Sequence, residues 1–140
     1  MIVALDTTFF ALHYFSRDPS VLENTKAVIR SCRRLGNRGL IPVIVLAEFY
    51  ALARKKAGRD AAQKYFSEME LSGLDIIPVN IAGAKQAGVL RVKYQEKIPW
   101  GDCLIAAAAI EGRAEYIVTE DPHFATIKEI KAKRTSQIQV

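Results

Sequence analysis

The sequence predicts an α/β protein, a three-layer α/β/α sandwich with a central parallel sheet of four to five strands. Short apolar runs of strand length alternate along the chain with longer stretches at helical spacing. The first run is apolar throughout, which is typical of a strand covered on both faces. No repeat, low-complexity linker or composition shift divides the 140 residues. We therefore expect a single domain over residues 1–140.

The predicted strands are short runs that end at turn-forming or polar residues. They cover residues 2–5, 40–43, 74–79 and 115–119. A short edge strand is expected within residues 128–134, where lysines discourage further pairing. Pro42 is compatible with the second strand only near its start or in a kink.

The predicted helices carry apolar residues at the spacing of one helix face, and glycines end several of them. They cover residues 7–15, 19–37, 44–56, 60–71, 81–96 and 103–111. Asp60 is expected to cap the fourth helix. The first helix is apolar nearly all round, which indicates burial or a shared surface. The last helix is rich in alanine, so its backbone can lie close to the sheet.

Composition excludes several classes of protein. Half of the residues are hydrophobic and a quarter are charged, as in a soluble globular protein. The longest apolar run, residues 103–110, is too short to cross a bilayer, and the N-terminus lacks an export signal. We expect a cytoplasmic protein without a membrane partner. Cys32 and Cys103 are far apart and lack zinc-ligand spacing, so both are expected in the core.

Four acidic residues are predicted to meet at one edge of the sheet. Asp6 and Asp121 follow the first and fourth strands, and Glu48 interrupts an apolar helix start. Because the carboxyl ends of parallel strands share one edge, these three converge there. Asp102 lies in the first turn of the last helix, and it joins them only if Trp100 and Gly101 return the chain to that side.

Four acids in one cleft repel one another unless a cation neutralises them. Carboxylates without a histidine cluster suit Mg²⁺ or Mn²⁺ rather than zinc. Setting these four acids aside leaves 11 acidic against 20 basic residues, so the rest of the molecule is about +9. A basic body around an acidic pocket suits a polyanion, with one phosphodiester presented to the ions for in-line attack by water.

Three of the four acids also have a purely structural interpretation. Asp6 alone is a good helix cap, Asp102 a first-turn residue and Asp121 a turn residue before a proline. Taken together they favour a shared site with Asp6 as its central ligand, and capping then passes to Thr7 or Thr8. A hydroxyl beside Asp6 would also order a bound water. We expect no role for His123 in this site.

Four segments resemble, in order and spacing, the acidic motifs of PIN-domain proteins. They are residues 5–8, 45–49, 101–107 and 118–124. The resemblance covers nearly the whole chain, and the closest group looks like the VapC-type ribonuclease toxins of prokaryotic toxin–antitoxin pairs. It implies a PIN-like parallel fold and a Mg²⁺- or Mn²⁺-dependent endoribonuclease acting on RNA. It also implies a homodimer held silent by an antitoxin.

The resemblance assigns roles position by position. Asp6, Asp102 and Asp121 match the metal-binding aspartates of the family. Glu48 matches an acidic residue that holds metal or positions water, and Thr119 a hydroxyl that supports the site. Many members carry another acid two residues after the last aspartate, where this chain has His123, which leaves the second metal position open.

Two other classes of protein gather carboxylates in a similar fold. A phosphoacceptor receiver domain needs an acidic pair after its first strand, whereas here Thr7 and Thr8 follow Asp6. The alternative that stays open is a catalytically inert PIN-like binding module that acts through a protein partner. All four acids are present, so the sequence favours the nuclease.

Overall fold

A computed structural model of the chain describes residues 1–139. Its centre is a five-stranded sheet in which every pair of neighbouring strands is parallel. The strands are β1 (Ile2–Leu5), β2 (Arg38–Pro42), β3 (Asp75–Ile77), β4 (Tyr116–Val118) and β5 (Lys131–Lys133). The predicted parallel α/β fold is confirmed, including the edge strand.

Six α-helices flank the sheet. They are α1 (Thr7–Phe15), α2 (Pro19–Cys32), α3 (Val43–Ala57), α4 (Arg59–Glu70), α5 (Ile81–Lys93) and α6 (Trp100–Glu111). Two short 3-10 helices follow, at Pro122–Thr126 and Thr135–Gln137. None of the helices among residues 1–139 is both long enough and apolar enough to span a membrane.

Strand β1 lies at the centre of the sheet, whose order is β3-β2-β1-β4-β5. Ala4 pairs with Leu40 on one side and with Ile117 on the other, and all three side chains are fully buried. The chain builds outward from β1 to β3 and then returns to β4 on the other side of β1. This reversal opens a crevice at the carboxyl ends of β1 and β4, where such sheets bind ligands.

Small residues allow the helices to approach the sheet closely. The alanines at 106, 107 and 109 in α6 are fully buried, as the composition of that helix predicts. A Cβ atom at Gly39 in β2 would lie 2.8 Å from the Cβ of Cys32 and from Leu74 Cδ2. Glycine at this position is therefore required for α2 to pack on β2. Cys32 and Cys103 are both buried and unpaired, as predicted.

Several predicted boundaries are wrong by a few residues. Helix α2 ends at Cys32 rather than near residue 37, because the Asn37 amide donates to the Ser31 carbonyl at 2.9 Å and satisfies that helix end. Helix α5 ends at Lys93 instead of residue 96. Asp60 does not cap α4. The N-cap is Gly58, and Asp60 lies in the first turn.

Candidate metal centre at the carboxyl edge of the sheet

Asp6 leaves β1 at the switch point and is buried, with 2% of its surface exposed. Its Oδ1 accepts a hydrogen bond from Thr8 Oγ1 at 2.7 Å and from the Phe9 backbone N–H at 3.1 Å. Asp6 is therefore the N-cap of α1. The expectation that Thr7 or Thr8 takes over this role is wrong, because the Asp6 carboxylate already faces the first turn of α1.

Thr119, directly after β4, connects Asp6 to the second strand end. Its buried hydroxyl donates to Asp6 Oδ2 at 2.6 Å and accepts from the Asp121 backbone N–H at 2.9 Å. Thr8 Oγ1 in turn accepts from the Glu120 backbone N–H at 2.8 Å. These bonds fix the turn after β4 against the turn after β1, so the position of Asp121 follows from that of Asp6.

Asp102 reaches the same edge, as the sequence argument required. Helix α6 begins at Trp100, and Asp102 lies in its first turn. Asp121 caps the 3-10 helix Pro122–Thr126 by accepting from the His123 backbone N–H at 2.9 Å. One ligand atom each from Asp102, Asp121 and His123 lies within 4.8 Å of the other two. Among residues 1–139 this is the one group of three or more potential metal ligands.

His123 lies in this group, although the sequence predicted no role for it in the site. Its Nδ1 lies 3.4 Å from Asp102 Oδ2 and 3.3 Å from Asp121 Oδ1, so the ring bridges the two carboxylates. The structure therefore places one histidine beside these carboxylates, where the sequence indicated only acids. The available signal was the spacing Asp121-Pro122-His123, in which a proline starts a short turn directly after a strand.

Glu48 borders the cluster from α3. Its Oε1 accepts from Thr7 Oγ1 at 2.6 Å, which makes Thr7 the residue that orients this carboxylate. Its Oε2 faces Gly101 in α6, where an added Cβ would lie 2.5 Å from that oxygen. The beginnings of α3 and α6 thus meet at a point where only glycine leaves room for the acid.

Burial and a neighbouring charge both raise the pKa of Asp6. Desolvation is the largest cause and raises its pKa to about 6, and the charge of Asp121 acts in the same direction. The hydrogen bonds from Thr119, Thr8 and the Phe9 N–H lower the pKa, but they do not offset burial. A proton or a cation at this edge would therefore relieve an unfavourable charge.

Burial and neighbouring charges also raise the pKa of Asp102. Its pKa is raised to about 6, first by burial and then by the charges of Asp121 and Glu48, while the contact with His123 opposes the shift. Within residues 1–139 no lysine or arginine forms an ion pair with Asp6, Asp102 or Asp121. The centre thus has an excess of negative charge that a divalent cation would neutralise.

A cleft of about 440 Å³ lies beside Asp121, between the 3-10 helix and β5. Lys133 and Arg134 line its wall. The Nε of Arg134 donates to Glu120 Oε2 at 2.8 Å, which holds the guanidinium next to the turn that carries Asp121. Glu120 therefore offsets the charge of Arg134 beside this turn, and the Lys133 ammonium lies 4.6 Å from the centre of the Tyr116 ring.

The fold and the cluster together define an α/β protein with a carboxylate site at the switch point of a parallel sheet. Comparison with protein-family models gives the family, because the model described as PIN domain matches residues 3–130. The chain therefore belongs to the PIN-domain family, and the resemblance seen in the sequence is confirmed. A comparison with curated proteins finds no significant match.

Solved structures of toxin–antitoxin proteins are similar over nearly the whole chain. VapBC2 from Rickettsia felis, bound to a DNA fragment from its promoter, is 26% identical with a TM-score of 0.76, over 96% of this chain and 98% of that one. VapC20 from Mycobacterium tuberculosis, a Sarcin-Ricin loop cleaving toxin, is 20% identical with a TM-score of 0.72, over 92% and 98%. VapBC-1 from nontypeable Haemophilus influenzae is 18% identical with a TM-score of 0.75, over 98% and 100%.

Proposed function

We propose that this chain is a divalent-cation-dependent endoribonuclease, acting in the cytoplasm as the toxin of a toxin–antitoxin pair. The observation that carries the proposal is the cluster of Asp102, Asp121 and His123 at the switch point of the sheet. Membership of the PIN-domain family supports it. The whole activity would belong to one domain spanning residues 1–140.

The residues at the centre fit a divalent cation. Asp102 and Asp121 offer carboxylate oxygens within 4.8 Å of each other, and their charge lacks a lysine or arginine partner in the described part of the chain. Oxygen donors suit Mg²⁺ and Mn²⁺. A bound cation would supply a Lewis acid that activates water and neutralises the phosphate. Asp6, joined to Asp121 through Thr119, would complete the negative wall of the site.

The protein's own residues would position the attacking water and the acidic side chains. We assign to Glu48 the positioning of the attacking water, because Thr7 fixes one oxygen of its carboxylate and the other faces Gly101. Thr119 is a positioning residue, since its hydroxyl holds Asp6 and the Asp121 backbone together. Water would attack the phosphorus in line with the departing oxygen.

RNA is the substrate class that the charge distribution favours. With the four acids of the centre set aside, the rest of the chain is about +9. Lys133 and Arg134 line the cleft beside Asp121, with Arg134 ion-paired to Glu120. A strand held there by its phosphates would pass next to the acidic cluster, where its phosphodiester would be cut.

An antitoxin and a second copy of the chain are the proposed protein partners. The similar Rickettsia felis structure is a VapBC complex, which supports an antitoxin. Helix α5 exposes Ile81, Val89 and Val92, and Trp100 nearby in sequence is also exposed. Apolar side chains concentrated in this way are typical of a protein interface, which supports a homodimer.

The test is cleavage of a defined RNA panel by the wild type, by Asp121→Asn and by Asp60→Asn. Asp60 is an exposed first-turn residue of α4, so Asp60→Asn is the matched control. We expect the wild type and Asp60→Asn to cut in Mg²⁺ or Mn²⁺ and to stop in EDTA. Asp121→Asn should lose at least about 100-fold in rate with its fold intact.

Cleavage by Asp121→Asn at the wild-type rate, with contaminating nuclease excluded, would contradict the assignment. A wild-type protein that neither cuts RNA nor binds Mn²⁺ at millimolar concentration would support the inert binding module instead.

A further inference from the structure

We propose that the His123 imidazole is a third protein ligand of the cation, and that this nitrogen makes the centre select first-row transition ions such as Mn²⁺ and Co²⁺ over Mg²⁺. The inference deepens the proposed function and depends on it, because it concerns which ion that same site holds. It assigns to His123 a role in ion specificity.

The spacing of the donor atoms supports a shared ion. Two donors bound at about 2.1 Å to one ion lie about 3.0 Å apart at a right angle and about 3.4 Å apart at the tetrahedral angle. His123 Nδ1 lies 3.3 Å from Asp121 Oδ1 and 3.4 Å from Asp102 Oδ2. Both separations fall within the range of neighbouring ligands, so the His123 nitrogen is placed to share an ion with either carboxylate.

The backbone holds His123 in this position. Asp121 accepts from the His123 N–H at 2.9 Å, and Pro122 between them begins the 3-10 helix. The His123 carbonyl accepts from Thr126 Oγ1 at 2.7 Å, and the next residue, Phe124, is buried with 1% of its surface exposed. The ring is half exposed, but its backbone is anchored on both sides. The backbone that carries the ring is therefore preorganised.

The chemistry of nitrogen determines the selectivity. Mg²⁺ is a hard ion that prefers oxygen ligands in octahedral geometry, so an imidazole contributes little to its binding. Affinity of mixed nitrogen and oxygen sites rises from Mn²⁺ to Co²⁺ along the first row. Two carboxylates and one imidazole should therefore bind Co²⁺ most tightly of the three ions, Mn²⁺ next and Mg²⁺ least.

The first test measures Mg²⁺, Mn²⁺ and Co²⁺ affinity calorimetrically for the wild type, His123→Ala and His123→Asp. We expect His123→Ala to weaken Mn²⁺ and Co²⁺ binding by about 10- to 100-fold, the range found when ligand-shell groups of metal sites are altered. Mg²⁺ affinity should change far less. His123→Asp should restore oxygen ligation and raise Mg²⁺ affinity relative to Co²⁺.

The second test detects the nitrogen directly by pulsed electron paramagnetic resonance of bound Mn²⁺. The sequence has only two histidines, and His13 Nδ1 is 2.9 Å from Thr25 Oγ1 between α1 and α2. We expect imidazole nitrogen coupling in the wild type and in His13→Asn, and its loss in His123→Ala. This signal does not depend on activity.

The outcomes separate the inference from the proposed function. If Mn²⁺ binds the wild type and not Asp121→Asn, but His123→Ala binds equally and nitrogen coupling is absent, the inference is wrong and the function stands. Tighter Mn²⁺ binding by His123→Ala would show that the ring competes with the ion and would also overturn it. A wild type that binds none of the three ions would overturn both, whereas RNA cleavage that persists in EDTA would overturn the function.

Discussion

Asp6 accepts three hydrogen bonds on one buried carboxylate, and two of them come from threonine hydroxyls. A buried charge is costly unless it is paired or hydrogen-bonded. Here the bonds stabilise the carboxylate without fully offsetting its burial, so the residue keeps a raised pKa. Asp6 therefore combines a structural role as a helix cap with the negative charge that the proposed cation requires.

Replacing Thr119 by valine should lower both stability and activity. Valine preserves the shape but leaves Asp6 Oδ2 and the Asp121 N–H without their bond, which costs about 1–3 kcal/mol of unfolding free energy. Cleavage should fall because Asp121 loses its support. Thr25→Val is the matched control, since Thr25 is also buried but bonds within α2 and to His13. It should lose stability and keep its rate per folded molecule. Equal rates in both variants would refute the positioning role.

The metal-free protein should become more stable as pH falls from 7.5 to 5. The folded-state pKa of Asp6 is about 6 against 3.8 in the unfolded chain, so between these values the folded state binds the extra proton. The pKa of Asp102 is also raised to about 6, so this residue adds to the gain in stability at lower pH. The whole Asp6 shift corresponds to roughly 3 kcal/mol, of which about 1.4 kcal/mol falls between pH 7.5 and 5.

Denaturant unfolding in EDTA checks this prediction. The pKa of His13 is lowered chiefly by burial, so this residue destabilises the fold as the pH falls below its ordinary pKa. The wild type is therefore compared with Asp102→Asn. The variant should show a smaller gain in stability on acidification. An identical pH dependence in both proteins would contradict the assigned cause.

Residue positions were predictable where the strand ends dictated them. Asp6 and Asp121 follow buried strands, and their convergence needs only a parallel sheet. The side-chain direction of His123 was not predictable, because it depends on the 3-10 turn that starts at Pro122. The capping role of Asp6 was predicted for the isolated segment and then wrongly transferred to Thr7 or Thr8.

Helix α6 shows how an element places a functional group. Its first turn carries Asp102 into the cluster, and Gly101 beside it leaves space for the Glu48 carboxylate. Glycine inside a helix normally costs about 1 kcal/mol relative to alanine. At position 101 an added Cβ would collide with the Glu48 carboxylate, so only glycine fits there.

Gly101→Ala therefore separates activity from stability. Its Cβ would meet Glu48 Oε2 at 2.5 Å and displace that carboxylate, so we expect a loss of about 10-fold or more in cleavage rate. The thermal midpoint should change little, because better helix propensity offsets the contact.

Gly88→Ala in α5 is the control, since its Cβ meets nothing within 4 Å. It should gain up to about 1 kcal/mol and keep full activity. Full activity of Gly101→Ala would contradict the assignment to Glu48.

Elements were predictable in number and order, and their ends were less so. The strand and helix order follows from apolar runs and helical spacing, as β1 and α1 show. Helix α5 ends early because Gln95 and Glu96 adopt positive φ values of 58° and 60°. Residues other than glycine rarely adopt this conformation, so the sequence carries no clear stop signal there.

Negative charge is concentrated at the centre, and the rest of the molecule is basic. An acidic centre lies at one edge of the sheet, and the remaining chain is about +9. Under the proposed function, the basic remainder of the chain would hold an RNA backbone while a cation, rather than an arginine or lysine, would neutralise the acids.

RNA binding should therefore be strongly salt-dependent. With Asp121→Asn to prevent cleavage, affinity for a single-stranded oligonucleotide should fall with salt at a logarithmic slope of about 0.7 per phosphate contacted. Adding Arg134→Ala, which removes a cation from the cleft beside Asp121, should weaken binding and reduce the slope by about 0.7. Adding Arg59→Ala, on exposed α4, should change neither. Filter binding from 50 to 300 mM salt measures both quantities. Affinity that is independent of salt would contradict a phosphate-held substrate.

In the proposed function, one cation site between Asp102 and Asp121 controls RNA hydrolysis. The most direct measurement follows Mn²⁺ occupancy by electron paramagnetic resonance and single-turnover RNA cleavage in the same samples across a Mn²⁺ titration. We predict that the cleavage rate rises in proportion to occupancy and that Asp102→Asn loses both together. Cleavage that continues in EDTA, or an Asp102→Asn protein with wild-type occupancy and rate, would contradict the claim.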